Sequence, residues 1–320
     1  MQLRLALKSA IERLTLQRVP SPRMNAELLI MFTLDCNRAY LYAHPERELT
    51  ADETSRYDEA LARRASGVPA QYITGHQEFW GMDLIVSPAV LIPRPETEHV
   101  VEAVLELAAD SKQERQPRTR VSAPHERARV PPATTGESPA LRIVDVGTGS
   151  GAIALALARV LPAAEIFATD ISADALEVAR ANAARHELSS RIHFHQADLL
   201  TGISRPGETS PELPGSIKFD FVVSNPPYVG ESEEEEVQLE VRKFEPRNAV
   251  FAGPTGLEVI ERLIPQAYEV LRPGGWLVFE ISGTIADGVR SLLAGWDEVA
   301  ITKDLQGIAR VARARKPARG

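Results

Sequence analysis

A length of 320 residues, 44% apolar and 25% charged, is enough for two domains with cores of their own, and no apolar run is long enough to span a bilayer. The single cysteine, Cys36, excludes a disulfide framework and a thiolate metal cluster and fits a reducing cytoplasm. A net charge of −8 argues against a partner gripped mainly through its phosphates, so no stable nucleic-acid complex is expected.

Residues 1–68 read as a small helical unit. The start, MQLRLALKSAIERL, is basic and amphipathic but lacks the apolar stretch and cleavage site of a signal, and is read as a first helix. Ser21-Pro22 reads as a cap followed by proline at the first helical position, leading into AELLIMFTL. Thr50-Ala51-Asp52-Glu53 has the capping-box form and opens a helix with Tyr57, Ala60 and Leu61 on its apolar face, closed by Gly67 and Pro69. The unit is either a structural cap or a docking domain for a macromolecular substrate.

Residues 69–95 change character. Tyr72, Ile73, Phe79, Trp80, Leu84, Ile85 and Val86, punctuated by Gly75 and Gly81, predict short strands and turns forming a hairpin that joins two domains. In LIPRPETE, residues 91–98, the prolines hold the chain extended until Glu96 and Glu98 favour a helix N-terminus. Val100, Val101, Val104, Leu105 and Ala108 then repeat at helical spacing, opening a second domain over 96–320. Within it, residues 111–140 carry five prolines and six basic against three acidic residues without periodicity, which predicts a disordered linker. Residues 201–216, with three prolines, read as a surface insertion.

From Leu141 the strands LRIVDV, AEIFAT, RIHFHQ, FDFVVS and WLVFEI alternate with helical stretches, and DEVAITKD and IARVARAR follow as two more strands. That alternation is the signature of a doubly wound α/β domain. Asp145 and the turn Gly147-Thr148-Gly149-Ser150-Gly151 follow the first strand, where glycines allow a ligand close to backbone N–H groups. On the turn alone a nicotinamide dinucleotide remains an alternative. Asp145 favours a cationic ligand instead. Asp170 ends the second strand, where a carboxylate takes ribose hydroxyls, and Asp198 ends the third, facing an adenine amino group. Adenine, ribose and a positively charged amino-acid tail together describe S-adenosylmethionine.

The fourth strand, FDFVVS, runs into Asn225-Pro226-Pro227-Tyr228. Two prolines stiffen the turn, and the Asn225 side-chain oxygen with the Pro226 carbonyl can accept both hydrogens of one planar NH2 group, for which Tyr228 offers a flat face. His193 and His195 lack a third metal ligand, so no metal is expected, and Glu233 to Glu236 read as a solvated helix start.

With YITG, EFWG, LIPRPETE, DVGTGSG, NPPY, FEP at 244–246 and DLQGIARV in one chain, the sequence resembles the release factor glutamine methyltransferase family over almost all its length. NPPY alone is shared with adenine and guanine amino methyltransferases; LIPRPETE is more specific, and related ribosomal-protein glutamine methyltransferases lack PETE. The resemblance implies a class I S-adenosylmethionine-dependent methyltransferase fold, Rossmann-like with a seven-stranded sheet, behind a helical N-terminal docking domain. It implies a cytoplasmic monomer acting on the glutamine of the Gly-Gly-Gln motif in class 1 peptide chain release factors. Carried over by position, Gly147 to Gly151, Asp170, Leu199 and Asn225 contact the cofactor, and Asn225, Pro226, Pro227 and Tyr228 hold the glutamine. The chain departs from the family in the long 111–140 linker and in Glu280-Ile281-Ser282, where Glu-Ile-Gly is common.

Overall fold

The structure, a computed structural model, describes residues 1–115, 140–203 and 217–318. Most of the expected linker and of the expected insertion at 201–216 lie outside the described residues.

The chain opens with α1 (Leu3–Leu16), α2 (Pro22–Leu34), α3 (Arg38–Ala43), α4 (Ala51–Ala65) and α5 (Ala70–Thr74). Leu3, Ala6, Ala10 and Leu14 of α1 recur on one face and close with Leu29, Ile30, Tyr57 and Leu61 over a separate small core. The Thr50 capping box forms in full: Thr50 accepts from the Glu53 N–H and Glu53 accepts from the Thr50 N–H. Ser21 differs from its expected role, because it sits in the left-handed region and makes no side-chain cap. Asn25 Nδ2 instead donates to the Pro20 and Ser21 carbonyls at 2.8 and 3.2 Å.

Tyr72 and Ile73 lie in α5, not in a strand; the hairpin is β1 (His76–Phe79) and β2 (Met82–Ile85), turned at Trp80-Gly81. A helical turn (Pro95–Thr97) leads into α6 (Glu98–Arg115), which runs on into the stretch expected to be linker because the first proline there is Pro117. Glu98 accepts the Trp80 N–H at 2.8 Å, locking the helix start to the hairpin.

The second core is built from β3 (Arg142–Val146), α7 (Ala152–Val160), β4 (Glu165–Asp170), α8 (Ala173–Arg185), β5 (Ile192–Gln196), β6 (Phe219–Ser224), β7 (Val229–Gly230), α9 (Leu239–Phe244), α10 (Arg247–Val250), β8 (Phe251–Gly253), α11 (Glu258–Val270), β9 (Leu271–Glu280), α12 (Ala286–Leu292), β10 (Asp297–Lys303) and β11 (Ala309–Arg315). Seven strands form one sheet in the order β10-β11-β9-β6-β3-β4-β5. The five strands from β9 to β5 are parallel; β11 pairs antiparallel with β9, and β10 antiparallel with β11, so that β11 alone runs against the other six. Because side chains alternate across a strand, Phe221 and Val223 enter the core under α6 and α7 and Val222 the one under α11 and α12, which Phe219 joins across a register shift between Phe219 and Phe221. Every residue of β6 is buried, as a strand covered on both faces requires.

Candidate active site

Chain order runs outward from β3 through β4 to β5 on one side and through β6 to β9 on the other, so the sheet has its switch point between β3 and β6. Ligands of open α/β sheets bind in the crevice beyond the carboxyl ends of the strands at that point. Here the crevice holds a cavity of about 480 Å³.

Gly147, Thr148, Gly149 and Ser150 form one wall. Gly151 sits behind it: a Cβ there would meet Leu155 Cδ1 at 3.0 Å and Ala179 Cβ at 3.3 Å, so glycine lets α7 and α8 close together. Asp145 lies beneath the turn and does not front the cavity. Its Oδ2 accepts from Thr148 Oγ1 at 2.6 Å and from the Ala154 N–H at 3.2 Å, while among the described residues Oδ1 has no partner. Burial pushes the Asp145 carboxyl up to about 7, against the pull of those two donors.

Asp170 lines the cavity and accepts the N–H groups of Gly149 and Ser172, each at 2.9 Å. Its ionised carboxylate keeps further lone pairs for a ligand, although burial raises its pKa. Asp198 and Leu199 also line the cavity. Asp198 Oδ2 forms an ion pair with Arg262, itself a lining residue, which leaves the other carboxylate oxygen to accept from a ligand. Thr169 Oγ1 donates to the Leu199 carbonyl at 2.9 Å and fixes that loop to the end of β4.

Asn225 and Pro227 line this cavity and also a second one of about 130 Å³, whose walls include Pro226, Tyr228, Arg94 and Val241. The Asn225 to Tyr228 turn is thus the partition between two spaces. Its neighbours come from far along the chain. Thr97, in the PETE stretch, accepts from Asn225 Nδ2 at 3.0 Å and donates to Glu280 Oε2 at 2.6 Å. Tyr228 Oη donates to the other oxygen, Glu280 Oε1, at 2.9 Å. Burial raises the pKa of Glu280, and burial followed by the neighbouring Glu280 charge raises that of Tyr228. On the rim, Glu245 of the FEP stretch accepts the Ile92 N–H at 3.1 Å and pairs with Arg94, joining residues 91–98 to the exit of α9.

Sequence reasoning missed Thr97, Glu280 and Arg262. Thr97 and Glu280 stood inside noted motifs, but only a 128-residue and a 52-residue separation closed in space bring them to Asn225 and Tyr228. The expected helix start at Glu233 to Glu236 is a single turn, Glu231–Glu233, and Glu234 holds Arg247 through two bonds of 2.7 and 2.9 Å. His193 and His195 pack on the Phe167 ring, at centroid distances of 4.9 and 6.0 Å. Among the described residues no helix is long and apolar enough to cross a membrane.

The fold is shared with the catalytic domain of hMettl16, solved in complex with MAT2A 3'UTR hairpin 6, at a TM-score of 0.51 and 16% identity over 82% of this chain and 83% of that one. Sheet order, glycine turn and switch-point cavity define a class I S-adenosylmethionine-dependent methyltransferase. Residues 6–75 match the model of the PrmC N-terminal domain and residues 137–293 that of a methyltransferase domain. The chain is 50% identical over 317 residues to the release factor glutamine methyltransferase of Koribacter versatilis, covering 99% of each, and 39% identical to that of Chlorobaculum tepidum over 95% and 94%. It belongs to the release factor glutamine methyltransferase family.

Proposed function

We propose that this protein methylates the side-chain amide nitrogen of the glutamine in the Gly-Gly-Gln motif of class 1 peptide chain release factors, supporting translation termination in the cytoplasm. The observation that carries this reading is the Asn225 to Tyr228 turn standing as the wall between a cofactor-sized cavity and a second, smaller one.

S-adenosylmethionine would be held by Gly147, Thr148, Gly149, Ser150, Asp170, Asp198 and Leu199 and would supply an electrophilic methyl group, its C–S bond breaking to leave the neutral thioether S-adenosylhomocysteine. Asp145 and Gly151 shape the turn that holds it. The glutamine amide enters from the side of the smaller cavity. An amide nitrogen is a poor nucleophile because its lone pair is delocalised. Asn225 Oδ1 and the Pro226 carbonyl accept its two hydrogens and favour the pyramidal nitrogen that develops in the transition state. Tyr228 gives the planar amide a surface to lie on, and no base is needed before attack because the proton becomes acidic as the methyl arrives. Orientation by the rigid turn supplies much of the remaining acceleration.

The test is mass spectrometry of the Gly-Gly-Gln peptide after unmodified release factor is incubated with the protein and S-adenosylmethionine. A cofactor-dependent gain of one methyl on that glutamine is expected; no gain, with cofactor binding shown separately, overturns the substrate. Asn225→Ala should lower turnover by about 100-fold or more and leave the cofactor Kd within about threefold, since it removes an acceptor that works on the reacting nitrogen.

A further inference from the structure

We infer that Thr97 is a positioning residue, which together with Glu280 dictates the direction in which the Asn225 amide faces the reacting nitrogen. The inference rests on the function proposed above.

The argument is one of donors and acceptors. Glu280 is 1% exposed, and it receives Thr97 Oγ1 on one oxygen at 2.6 Å and Tyr228 Oη on the other at 2.9 Å. Both Glu280 oxygens accept, one from each hydroxyl, so the Thr97 hydroxyl spends its single proton on Glu280. What Thr97 then offers Asn225 is a lone pair, and the Asn225 side chain must answer with its NH2 group, at 3.0 Å. A planar amide that turns its nitrogen toward Thr97 turns its oxygen the other way. Among the described residues no donor is directed at Asn225 Oδ1. The acceptor that the chemistry needs is therefore kept free by a polarity set two bonds away. Were the proton order reversed, Asn225 would present two donors to a substrate that is itself a donor, and transfer would stall. Thr97 is 3% exposed and anchored in the helical turn Pro95–Thr97 at the head of α6, and Glu280 ends β9, so neither partner can swing to accommodate the reverse order.

The experiment compares Thr97→Val, which keeps the shape and removes the hydroxyl, with Thr97→Ser, which keeps the hydroxyl. Methylation of release factor is followed with S-adenosylmethionine, beside the cofactor Kd, the release factor KM and the melting temperature. Thr97→Val is expected to lose about 10- to 100-fold in kcat, as removal of an orienting partner typically does, with Kd and KM little changed. Thr97→Ser should recover most of that loss. Thr97→Ala, which removes the hydroxyl with less bulk, should show the same loss should the valine variant fail to fold. Wild-type turnover in the hydroxyl-free variants, or a serine variant as slow as the valine one, overturns the inference. Failure of the unmodified enzyme to methylate release factor is seen before any variant is made, and overturns the proposed function and this inference together.

Discussion

Asp145, 1% exposed beneath the glycine turn, prefers to be neutral. Burial raises its carboxyl from an ordinary 3.8 to about 7, so above pH 4 the unfolded chain releases a proton that the folded chain retains. The group's contribution to stability is complete below the unfolded value, falls as pH rises towards 7, and is flat beyond. An Asn at this position has no such titration. The difference in unfolding free energy between the wild type and Asp145→Asn should therefore shift against the wild type between pH 4 and 7, by at most about 4 kcal/mol. Urea unfolding of both proteins across that range checks it, and a difference that stays constant with pH would contradict the assignment. Glu245 and Glu280 are also raised by burial, but they are common to both proteins and cancel; Asp170, whose charge adds to the rise of Asp145, is part of the same difference.

At the scale of elements, the hairpin and the glycine turn are held to one side chain on α8. Asn182 is fully buried; its Oδ1 accepts the Ile85 N–H at 2.7 Å, and its Nδ2 donates to the carbonyls of Ile85 and Ser150, both at 2.9 Å. Ile85 is paired in register with His76, but its N–H and C=O bond Asn182, and among the described residues the sheet has no third strand to take them. Asn182→Ala leaves these groups without partners, which should lower stability by about 2–4 kcal/mol and weaken cofactor binding through the freed Ser150 segment. Denaturant midpoints and calorimetric cofactor titration read the two effects separately. An unchanged midpoint would mean that water replaces the amide. The α4 cap was readable because all its parts lie within four residues, whereas Asn182 works over 97 residues from Ile85. α5 was misread as strand because aromatic and β-branched residues in a five-residue segment carry no period long enough to separate helix from strand.

Across the whole molecule, Arg64 ties the helical unit to the methyltransferase unit. It is 4% exposed, bonds Asn25 Oδ1 at 2.7 Å and the Val68 carbonyl at 3.2 Å within the first, and pairs with Glu240 of α9 at 2.8 Å in the second. α9 contributes Val241 to the smaller cavity, so the same arginine sets how the helical unit meets the proposed glutamine entrance. Arg64→Met keeps much of the volume and strands all three acceptors. It should cost about 3 kcal/mol and expose the connector at residues 66–69 to limited proteolysis, which the wild type should resist. Equal cleavage rates in both proteins would show that apolar packing, such as the Gly67 approach to Phe244, suffices to hold the units together.

Sequence alone determined the fold class and the place of the chemistry. The fully buried β6 run, the glycines after β3 and the double proline of residues 226 and 227 are local patterns, each forced by backbone geometry or by burial on both faces. What only the tertiary structure decided is which polar groups are already committed. One Asp145 oxygen is committed to the turn, one Asp198 oxygen to Arg262, and the Asn225 nitrogen to Thr97, because hydrogen-bond partners are assigned by contacts across the sheet's carboxyl edge and not by distance along the chain. A carboxylate or amide has the same letter in a sequence whether its lone pairs are free or taken; the folded neighbours alone settle which.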